Sequence, residues 1–179
     1  MDSINKNQRE DNFLDLDNQE AVKKIKELTN VTKTCFFCTR GHGGLSDGVR
    51  PMSVQLVDDN GTFWFLSAND SYKNREVDMD GSVDLYFQGS AHSDFLHLSG
   101  VAEVLEDKQK IKELWEPILK TWFTEGVDDP RISVIKFVPH TGYYWDNKHG
   151  NAVAGVKMAV GALMGKTLDD SIEGNILIR

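Results

Sequence analysis

Three side chains in two segments of this sequence could together bind a phosphate group. Arg50 carries a permanent positive charge, and Ser71 and Lys73 add a hydroxyl and an ammonium group at the start of a predicted short helix. The free N–H groups and the positive dipole end of a helix N-terminus also favour an anion. Charge-assisted hydrogen bonds of this kind are strong and suit phosphate oxygens. The pattern therefore predicts a phosphate clamp.

Apolar residues lie between the two charged segments. Met52, Phe65 and Leu66 belong to the strands of a predicted hairpin. The hairpin joins the strand of Arg50 to the turn before Lys73, so the charged ends can approach each other. Small-molecule sites combine such apolar surface with a few polar groups, which suits a phosphorylated ring compound. Each charged residue also has an ordinary structural interpretation, because helix caps and surface ion pairs are common.

The composition argues against several classes of function. A formal net charge of −8 argues against general nucleic-acid binding, because phosphate backbones are held by clustered Lys and Arg. No run approaches the roughly 18 apolar residues that a membrane span requires, and the first dozen residues contain no apolar signal segment. We therefore expect a cytoplasmic protein that binds neither nucleic acid nor a membrane.

The two cysteines, Cys35 and Cys38, have the C-x-x-C spacing of redox and zinc motifs. They lie in a predicted strand, Thr34–Thr39, in which positions three apart point to opposite faces. No second cysteine pair follows, and reactive pairs of this kind usually lie at helix N-termini. The pattern therefore favours two packed core cysteines, and no metal site is predicted.

A chain of 179 residues fits one domain with a sufficient hydrophobic core. We predict a flexible polar leader over residues 1–14, a main domain over residues 15–146, and a C-terminal extension over residues 147–179 that packs on the same domain. The periodicity of the extension is too weak to assign its secondary structure.

Strand patterns outnumber helix patterns along the chain. A capping-box pair, Asp17 and Glu20, predicts a helix that ends near Asn30. The absence of a βαβ repeat and the short hairpins predict a mainly β fold, an antiparallel barrel with peripheral helices. The other predicted elements are the strand Thr34–Thr39, a hairpin of Val49–Val57 with Thr62–Leu66, a short helix from Ser71 to about Asp78, strands over Ser82–Gln88 and Phe95–Leu105, a helix over Lys108–Phe123 kinked or split at Pro117, and strands over Ile132–Val138 and Gly142–Trp145 separated by Pro139.

A set of short motifs occurs in a fixed order between about Val22 and Trp145. The motifs are Arg50-Pro51-Met52-Ser53, Phe63-Trp64-Phe65-Leu66-Ser67, Ser71-Tyr72-Lys73, Ser99-Gly100 and the block Trp115-x-Pro117…Trp122-Phe123…Gly126…Asp128-Asp129-Pro130. As a set they resemble the general stress protein 26 group of the pyridoxamine 5′-phosphate oxidase-like family. The resemblance implies an FMN-binding split β-barrel that forms a homodimer, with FMN at each of two sites along the subunit interface.

The same resemblance implies roles for individual residues. Arg50 and Lys73 would bind the FMN phosphate, and Ser71 and Tyr72 match neighbouring positions of the turn. Arginine is frequent at the position of Tyr72 in the family, so we expect weaker FMN affinity here. Residues 151–179 lack the neighbouring Arg and His of true pyridoxamine 5′-phosphate oxidases. The residues matched to the flavin ring are Met52, Ser53, Phe65, Leu66 and Ser67.

The resemblance therefore predicts a flavin-dependent oxidoreductase of unidentified substrate that is not a true pyridoxamine 5′-phosphate oxidase. NAD(P)H or another small electron donor is a candidate partner, and no side chain stands out as a catalytic acid or base. The alternative is a non-catalytic flavin-binding stress or sensor module with the same site. On the sequence alone, a preference for FAD, a deazaflavin or haem over FMN also stays open.

Overall fold

The computed structural model describes residues 12–40, 48–91, 93–164 and 170–179. Within these residues all nine strands belong to one sheet, and helices flank it. The mainly β fold predicted from the sequence is confirmed. The described elements are β1 Leu16–Asp17, α1 Asn18–Thr32, β2 Thr34–Thr39, β3 Gly48–Ser53, β4 Leu56–Val57, β5 Phe63–Ala68, α2 Tyr72–Met79, β6 Ser82–Gln88, β7 Phe95–Leu105, α3 Lys108–Leu114, 3₁₀ helices Pro117–Thr121 and Gly126–Asp128, β8 Ile132–Asn147, α4 Asn151–Met164 and β9 Ser171–Leu177.

The sheet does not close into a complete barrel. Its main path runs β1-β9-β8-β7-β6-β2-β3, and β5 branches from β8 with β4 on its other side. β3 ends the path with β2 as its strand neighbour. In the described part of the chain, β5 has no strand neighbour beyond Trp64 on its β4 side. An antiparallel barrel with two such open edges is a split β-barrel, as the resemblance implied.

β8 is the longest strand and connects the two parts of the sheet. Its first half pairs with β5 and its second half with β9, while β7 pairs along its other edge. Pro139 lies at this change of partner, opposite Gly100 and next to a register shift. The prediction of two strands separated by Pro139 is therefore wrong. A proline without an N–H is tolerated at such an irregularity.

The predicted hairpin of Val49–Val57 with Thr62–Leu66 forms only in part. The first segment divides into β3 and β4, and only β4 pairs with β5. β3 pairs instead with β2, where Arg50 lies opposite Phe37. This correction matters for the site, because it places Arg50 on a strand that does not neighbour β5.

The helix ends differ from the predictions in one case and agree in another. Asp17 is the N-cap residue of α1, but the described residues around it include no side-chain cap hydrogen bond, so the predicted capping box is wrong. The long helix predicted around Pro117 is split, since α3 ends at Leu114 and Pro117 begins a 3₁₀ helix. Proline clashes inside a helix but suits its first turn.

Two groups of buried apolar side chains stabilise the sheet. Burial of one such Phe or Leu side chain contributes about 1.5–3 kcal/mol. The larger core contains side chains of α1, β2, β5, α2 and each strand from β6 to β9. Its largest fully buried members are Ile25, Leu28, Phe37, Phe63, Phe65, Leu85, Leu96, Leu98, Ile135, Phe137, Tyr144 and Ile176. The smaller core lies between α3, the first 3₁₀ helix and β8, and contains Ile111, Leu114, Leu119, Phe123, Ile132 and Val134.

Both ends of the described chain join the sheet. Leu14 N donates to Glu173 O at 2.8 Å, and Glu173 N donates to Asn12 O at 3.0 Å. The remainder of the predicted leader, residues 1–11, lies outside the described residues. The C-terminal extension, whose structure the sequence did not assign, contains α4 and β9, and β9 pairs with β8. Of the described helices, none has the length and apolar character needed to cross a membrane.

Candidate functional site

An ion pair connects strand β3 to helix α2 at the open side of the sheet. Arg50 Nη1 lies 2.7 Å from Glu76 Oε2, and the two side chains are 25% and 21% exposed. The positive Arg50 guanidinium beside Glu76 favours the carboxylate, so the pKa of Glu76 is lowered and the residue is ionised at neutral pH. The ion pair holds the positive charge of β3 next to α2.

Thr39 and Gly48 support this ion pair from the paired ends of β2 and β3. The buried Thr39 hydroxyl lies 2.6 Å from Glu76 Oε2 and 3.1 Å from Gly48 O. A Cβ on Gly48 would lie 2.0 Å from Thr39 Oγ1 and 3.2 Å from Arg50 Nη2. Glycine at this position therefore leaves the space that the Thr39 hydroxyl and the Arg50 guanidinium occupy.

Ser71 caps α2 and contacts Lys73. Its hydroxyl accepts a hydrogen bond from Asn74 N at 3.4 Å and another from Lys73 Nζ at 3.2 Å. Burial lowers the pKa of Lys73, and the positive charge of Arg50 lowers it further, while Asp70 raises it. Two cations thus lie close enough to repel each other, and an anion placed between them would be stabilised by both.

A buried network of neutral groups fixes the start of α2, and it was not predicted from the sequence. Asn74 is 1% exposed, and its Oδ1 accepts from the hydroxyls of Ser67 and Ser71 at 2.7 and 3.1 Å. Its Nδ2 donates to Ser133 Oγ at 2.8 Å, and Ser133 donates to Ser67 O at 3.0 Å. The sequence signal for this network was a serine at an inward-facing position of each of two apolar strands, Ser67 in β5 and Ser133 in β8. The network ties β5, β8 and α2 together.

Arg50, Ser71, Lys73 and Glu76 together form what we call the cradle. Arg50 Nη1 is buried and, despite its contact with Glu76, has no hydrogen-bond partner of suitable geometry among the described residues. A buried donor without an acceptor costs about 1–3 kcal/mol. A phosphate oxygen is a strong acceptor for a guanidinium group. The cradle therefore fits a phosphate, and Arg50, Ser71 and Lys73 are brought together as the sequence predicted.

The residues matched to a flavin ring are placed differently. Phe65 is fully buried in the larger core, where its ring centroid lies 5.5 Å from that of Phe37 and 6.4 Å from that of Phe63. Leu66 packs against the smaller core. Ser67 is buried and belongs to the Asn74 network. The open edge of β5 beyond Trp64 therefore offers backbone groups rather than these side chains.

Three other predicted residues lie at the edges of the site. Met52 is half-buried, lies on the same face of β3 as Arg50 and packs partly against the larger core. Ser53, at the end of β3, is exposed. The ring of Tyr72 is 79% exposed, with the guanidinium carbon of Arg75 5.7 Å from its centroid. Tyr72 thus lies outside the hydrogen-bonded network of the cradle.

The sequence as a whole matches a known family. A sequence model of the family described as pyridoxamine 5′-phosphate oxidase like matches residues 20–169, a range that includes the whole cradle. The chain belongs to the pyridoxamine 5′-phosphate oxidase-like family. The resemblance that the short motifs indicated is therefore confirmed.

Similar proteins and structures agree with this assignment to the pyridoxamine 5′-phosphate oxidase-like family. A candidate general stress protein 26 from Jannaschia sp. CCS1 is 21% identical with a TM-score of 0.73, and the match covers 87% of this chain and 96% of that chain. A general stress FMN/FAD binding protein from Xanthomonas citri is 23% identical with a TM-score of 0.55, over 65% of this chain and 82% of that chain. At these identities the two likenesses establish the fold.

A curated relative matches over a shorter range. Protein bli-3 of Neurospora crassa is 26% identical over 104 residues, which cover 53% of this chain and 50% of that protein. The match therefore spans about half the length of this curated relative.

In this member of the pyridoxamine 5′-phosphate oxidase-like family, the outer face of the sheet next to the cradle exposes large apolar side chains. Phe36, Val49 and Tyr86, on the adjacent strands β2, β3 and β6, are 56%, 51% and 45% exposed. Phe36 lies opposite Tyr86, whose ring stacks on His97 with 4.5 Å between centroids. A patch of exposed aromatic and aliphatic side chains is typical of a protein interface.

A buried carboxylate lies in the middle of this outer face. Asp84 forms an ion pair with Arg40 at 2.8 Å, contacts His97 Nε2 at 3.2 Å and accepts a short hydrogen bond from the Ser99 hydroxyl. Burial alone would raise the pKa of Asp84, but the hydrogen bonds from Ser99 and His97 and the charge of Arg40 outweigh it and lower the pKa. The outer face therefore has polar groups at its centre and apolar groups around them.

Proposed function

We propose that this chain binds FMN at the cradle and acts as an FMN-dependent oxidoreductase. The observation that carries the proposal is the buried Arg50 Nη1, which has no aligned acceptor among the described residues and lies near a second cation, Lys73. The FMN phosphate would accept hydrogen bonds from Arg50, Lys73 and the Ser71 hydroxyl. The Xanthomonas citri structure, named for FMN/FAD binding, supports a flavin as the ligand.

The residues of this chain would hold and orient the cofactor. The flavin supplies the electron-transfer chemistry when it is bound. Because Phe65 and Leu66 are packed in the two cores, we expect β5 to contribute backbone groups to the ring rather than these side chains. Arg50 and Lys73 would contribute charge at the phosphate.

Titration of the purified protein with FMN and with riboflavin tests the proposal, with the quenching of flavin fluorescence as the signal. We expect FMN to bind at least about tenfold more tightly than riboflavin, which lacks the phosphate, because hydrogen bonds to charged groups are worth about 1.5–3 kcal/mol. Equal affinities would contradict a phosphate site at the cradle. Mass spectrometry of the co-purified ligand distinguishes FMN from FAD, a deazaflavin or haem.

We further propose that the protein forms a homodimer through the outer face around Phe36 and Tyr86. Two copies related by a two-fold axis bring the same patch of each subunit together. The face is formed partly by β3, whose Arg50 points to the opposite side of the sheet, so a second copy there would lie across β3 from the cradle.

The mass in solution tests this homodimer. Wild-type protein should have twice the 20.2 kDa chain mass by light scattering, and Phe36→Asp should shift it towards the monomer. Val156→Asp, a change at an exposed position of α4, is the control and should leave the mass unchanged. A monomeric wild-type protein would contradict the proposed dimer.

A non-catalytic flavin-binding module is the second candidate. The observation that favours it is that the titratable groups of the cradle are engaged in contacts that build a binding site. Glu76 is held by Arg50 and Thr39, and Lys73 lies against Ser71. Steady-state oxidation of NADH or NADPH by the FMN-loaded protein separates the two functions. Sustained turnover supports the oxidoreductase, whereas tight FMN binding without turnover of either donor supports the module.

A further inference from the structure

We propose that Glu76 tunes the choice between FMN and FAD by lowering the positive charge of the cradle. The inference rests on the proposed function, because it concerns a flavin phosphate bound by Arg50 and Lys73. Its basis is an ionised carboxylate paired with Arg50, one of the two cations that would bind the phosphate.

Glu76 is held in this position from two strands. Its Oε2 lies 2.7 Å from Arg50 Nη1 and 2.6 Å from the hydroxyl of Thr39, a residue that is 7% exposed. The Thr39 hydroxyl is fixed in turn by the close approach of Gly48, where a Cβ would lie 2.0 Å from it. A carboxylate held in this way stays beside Arg50 and contributes its negative charge to any ligand bound there.

The net charge of the cradle follows from its members. Within the cradle, Arg50 and Lys73 contribute two positive charges and Glu76 one negative charge, which leaves one positive charge. The carboxylate of Asp70 also acts on Lys73 from outside the cradle, and it does so equally with and without the charge of Glu76. The terminal phosphate of FMN is a monoester with about −1.5 to −2 charges at pH 7. Each of the two phosphates of FAD carries a single negative charge, and in this proposal only the phosphate attached to the riboflavin part would lie in the cradle. One net positive charge therefore balances a phosphate of FAD but only part of the charge of FMN. Glu76 thus lowers the ratio of FMN affinity to FAD affinity at the cradle.

The size of the effect depends on the charge of the ligand. Because the Coulomb energy is proportional to that charge, an n-fold gain for a singly charged phosphate becomes an n²-fold gain for a doubly charged one. For a partly exposed ion pair, removal of one charge changes affinity about threefold. We expect removal of the Glu76 charge to strengthen FMN binding about tenfold and FAD binding about threefold.

Glu76→Gln is the variant that isolates the charge. Both Arg50 and Thr39 contact the same carboxylate oxygen, so one amide oxygen can replace it and keep the geometry. Dissociation constants for FMN, FAD and riboflavin are measured at low and high salt. The FMN gain should exceed the FAD gain and shrink at high salt, and riboflavin should not change. The control is Glu103→Gln, which removes a glutamate paired with Lys136 at 2.8 Å on β7 and β8 and should leave all three constants unchanged.

The outcomes separate this inference from the proposed function. An unchanged ratio of FMN to FAD affinity in Glu76→Gln, or weaker FMN binding, overturns the inference alone and assigns Glu76 to orienting Arg50. Absence of flavin binding by the wild-type protein overturns the proposed function. Should Glu76→Gln fail to fold, the salt dependence of FMN binding is measured for the wild type, Glu76→Asp and Thr39→Val. The first two keep a carboxylate that lowers the charge of the cradle, whereas Thr39→Val frees the carboxylate to move away. FMN binding by the wild type and by Glu76→Asp should therefore depend less on salt than binding by Thr39→Val.

Discussion

The two ends of the proposed flavin site are built in different ways. At the phosphate end, an ion pair and hydrogen bonds hold Arg50, Ser71 and Lys73 at the open side of the sheet. At the ring end, Phe65 is fully buried in the larger core and Leu66 packs against the smaller one. One end presents charged side chains to a ligand, and the other presents the edge of a strand.

This difference indicates which part of the site a single chain can complete. The cradle is assembled by contacts within one chain, between β2, β3 and α2. The ring end lies beside the open edge of β5, whereas the outer face that exposes Phe36 and Tyr86 is formed by β2, β3 and β6. The open edge of β5 leaves room for another chain, which the proposed homodimer would supply. Mutations at the phosphate end should therefore change ligand affinity, whereas mutations at the ring end should change stability.

Phe65→Ala should have the largest effect and should act on stability. The change removes a fully buried ring that contacts the rings of Phe37 and Phe63, so the free energy of unfolding should fall by about 3–5 kcal/mol. Urea denaturation of the ligand-free protein measures it. Tyr72→Ala, which removes an exposed aromatic ring of the same site, should change the stability by less than about 0.5 kcal/mol. Similar losses in both variants would contradict the difference between the two ends.

Arg50→Ala and Lys73→Ala should act on affinity. Each change removes a charged donor, so FMN binding should weaken by about 1.5–3 kcal/mol, or about 10- to 150-fold. Isothermal titration calorimetry measures the loss, and circular dichroism verifies the fold. Arg75→Ala, an exposed arginine of the same helix, is the matched control and should bind FMN as the wild type does. Undiminished FMN affinity in the double variant of Arg50 and Lys73 would place the phosphate elsewhere.

Local patterns in the sequence predicted a substantial part of the fold. The strands Thr34–Thr39, Ser82–Gln88 and Phe95–Leu105 occupy the predicted bounds. Their runs of β-branched, aromatic and other apolar residues fit a buried sheet wherever it pairs. Ser71 was also identifiable as an N-cap, because capping depends on a side chain and on backbone groups within one helical turn.

Contacts between distant segments could not be predicted in this way. β3 pairs with β2 because β2 has an edge that β6 leaves unpaired. Nothing within the sequence of Gly48–Ser53 identifies β2 as its partner. Glu76 and Asn74 are residue types that occur in any polar helix, so the sequence around them does not indicate a special role. Their roles depend on Thr39 and Ser133, which lie 37 and 59 positions away along the chain. The phosphate end was therefore predictable for its cations but not for the residues that position them.

Asn74→Ala should affect both ends of the site by a smaller amount. The side chain joins Ser67 on the ring strand β5 to Ser71 in the cradle, and its loss leaves Ser133 without this partner. We expect the free energy of unfolding to fall by about 1–2 kcal/mol and FMN binding to weaken in the same variant. Asn69→Ala removes an exposed amide that bonds only Pro130 O among the contacts described, and should change neither quantity. A change in stability alone would show that the two ends are not coupled through Asn74.

The pH dependence of the Arg50–Glu76 ion pair should give the smallest effect. The pKa of Glu76 in the folded protein is lowered from about 4.5, chiefly by the Arg50 guanidinium beside it, while the unfolded chain keeps the usual value. Its stabilising contribution is therefore complete above about pH 4.5 and is lost as the pH falls through the lower folded value. The pair is partly exposed, so the contribution should be less than about 1 kcal/mol.

Urea denaturation of the ligand-free wild type and of Glu76→Gln between pH 3 and 7 measures this contribution as a difference. The difference should be constant near neutral pH and should shrink only in the acid range, because the folded state holds the Glu76 proton less tightly than the unfolded chain does. A difference that grows towards acid pH would mean that burial, rather than Arg50, dominates the pKa of Glu76. In that case the phosphate end would resemble the ring end, with a side chain held mainly by packing.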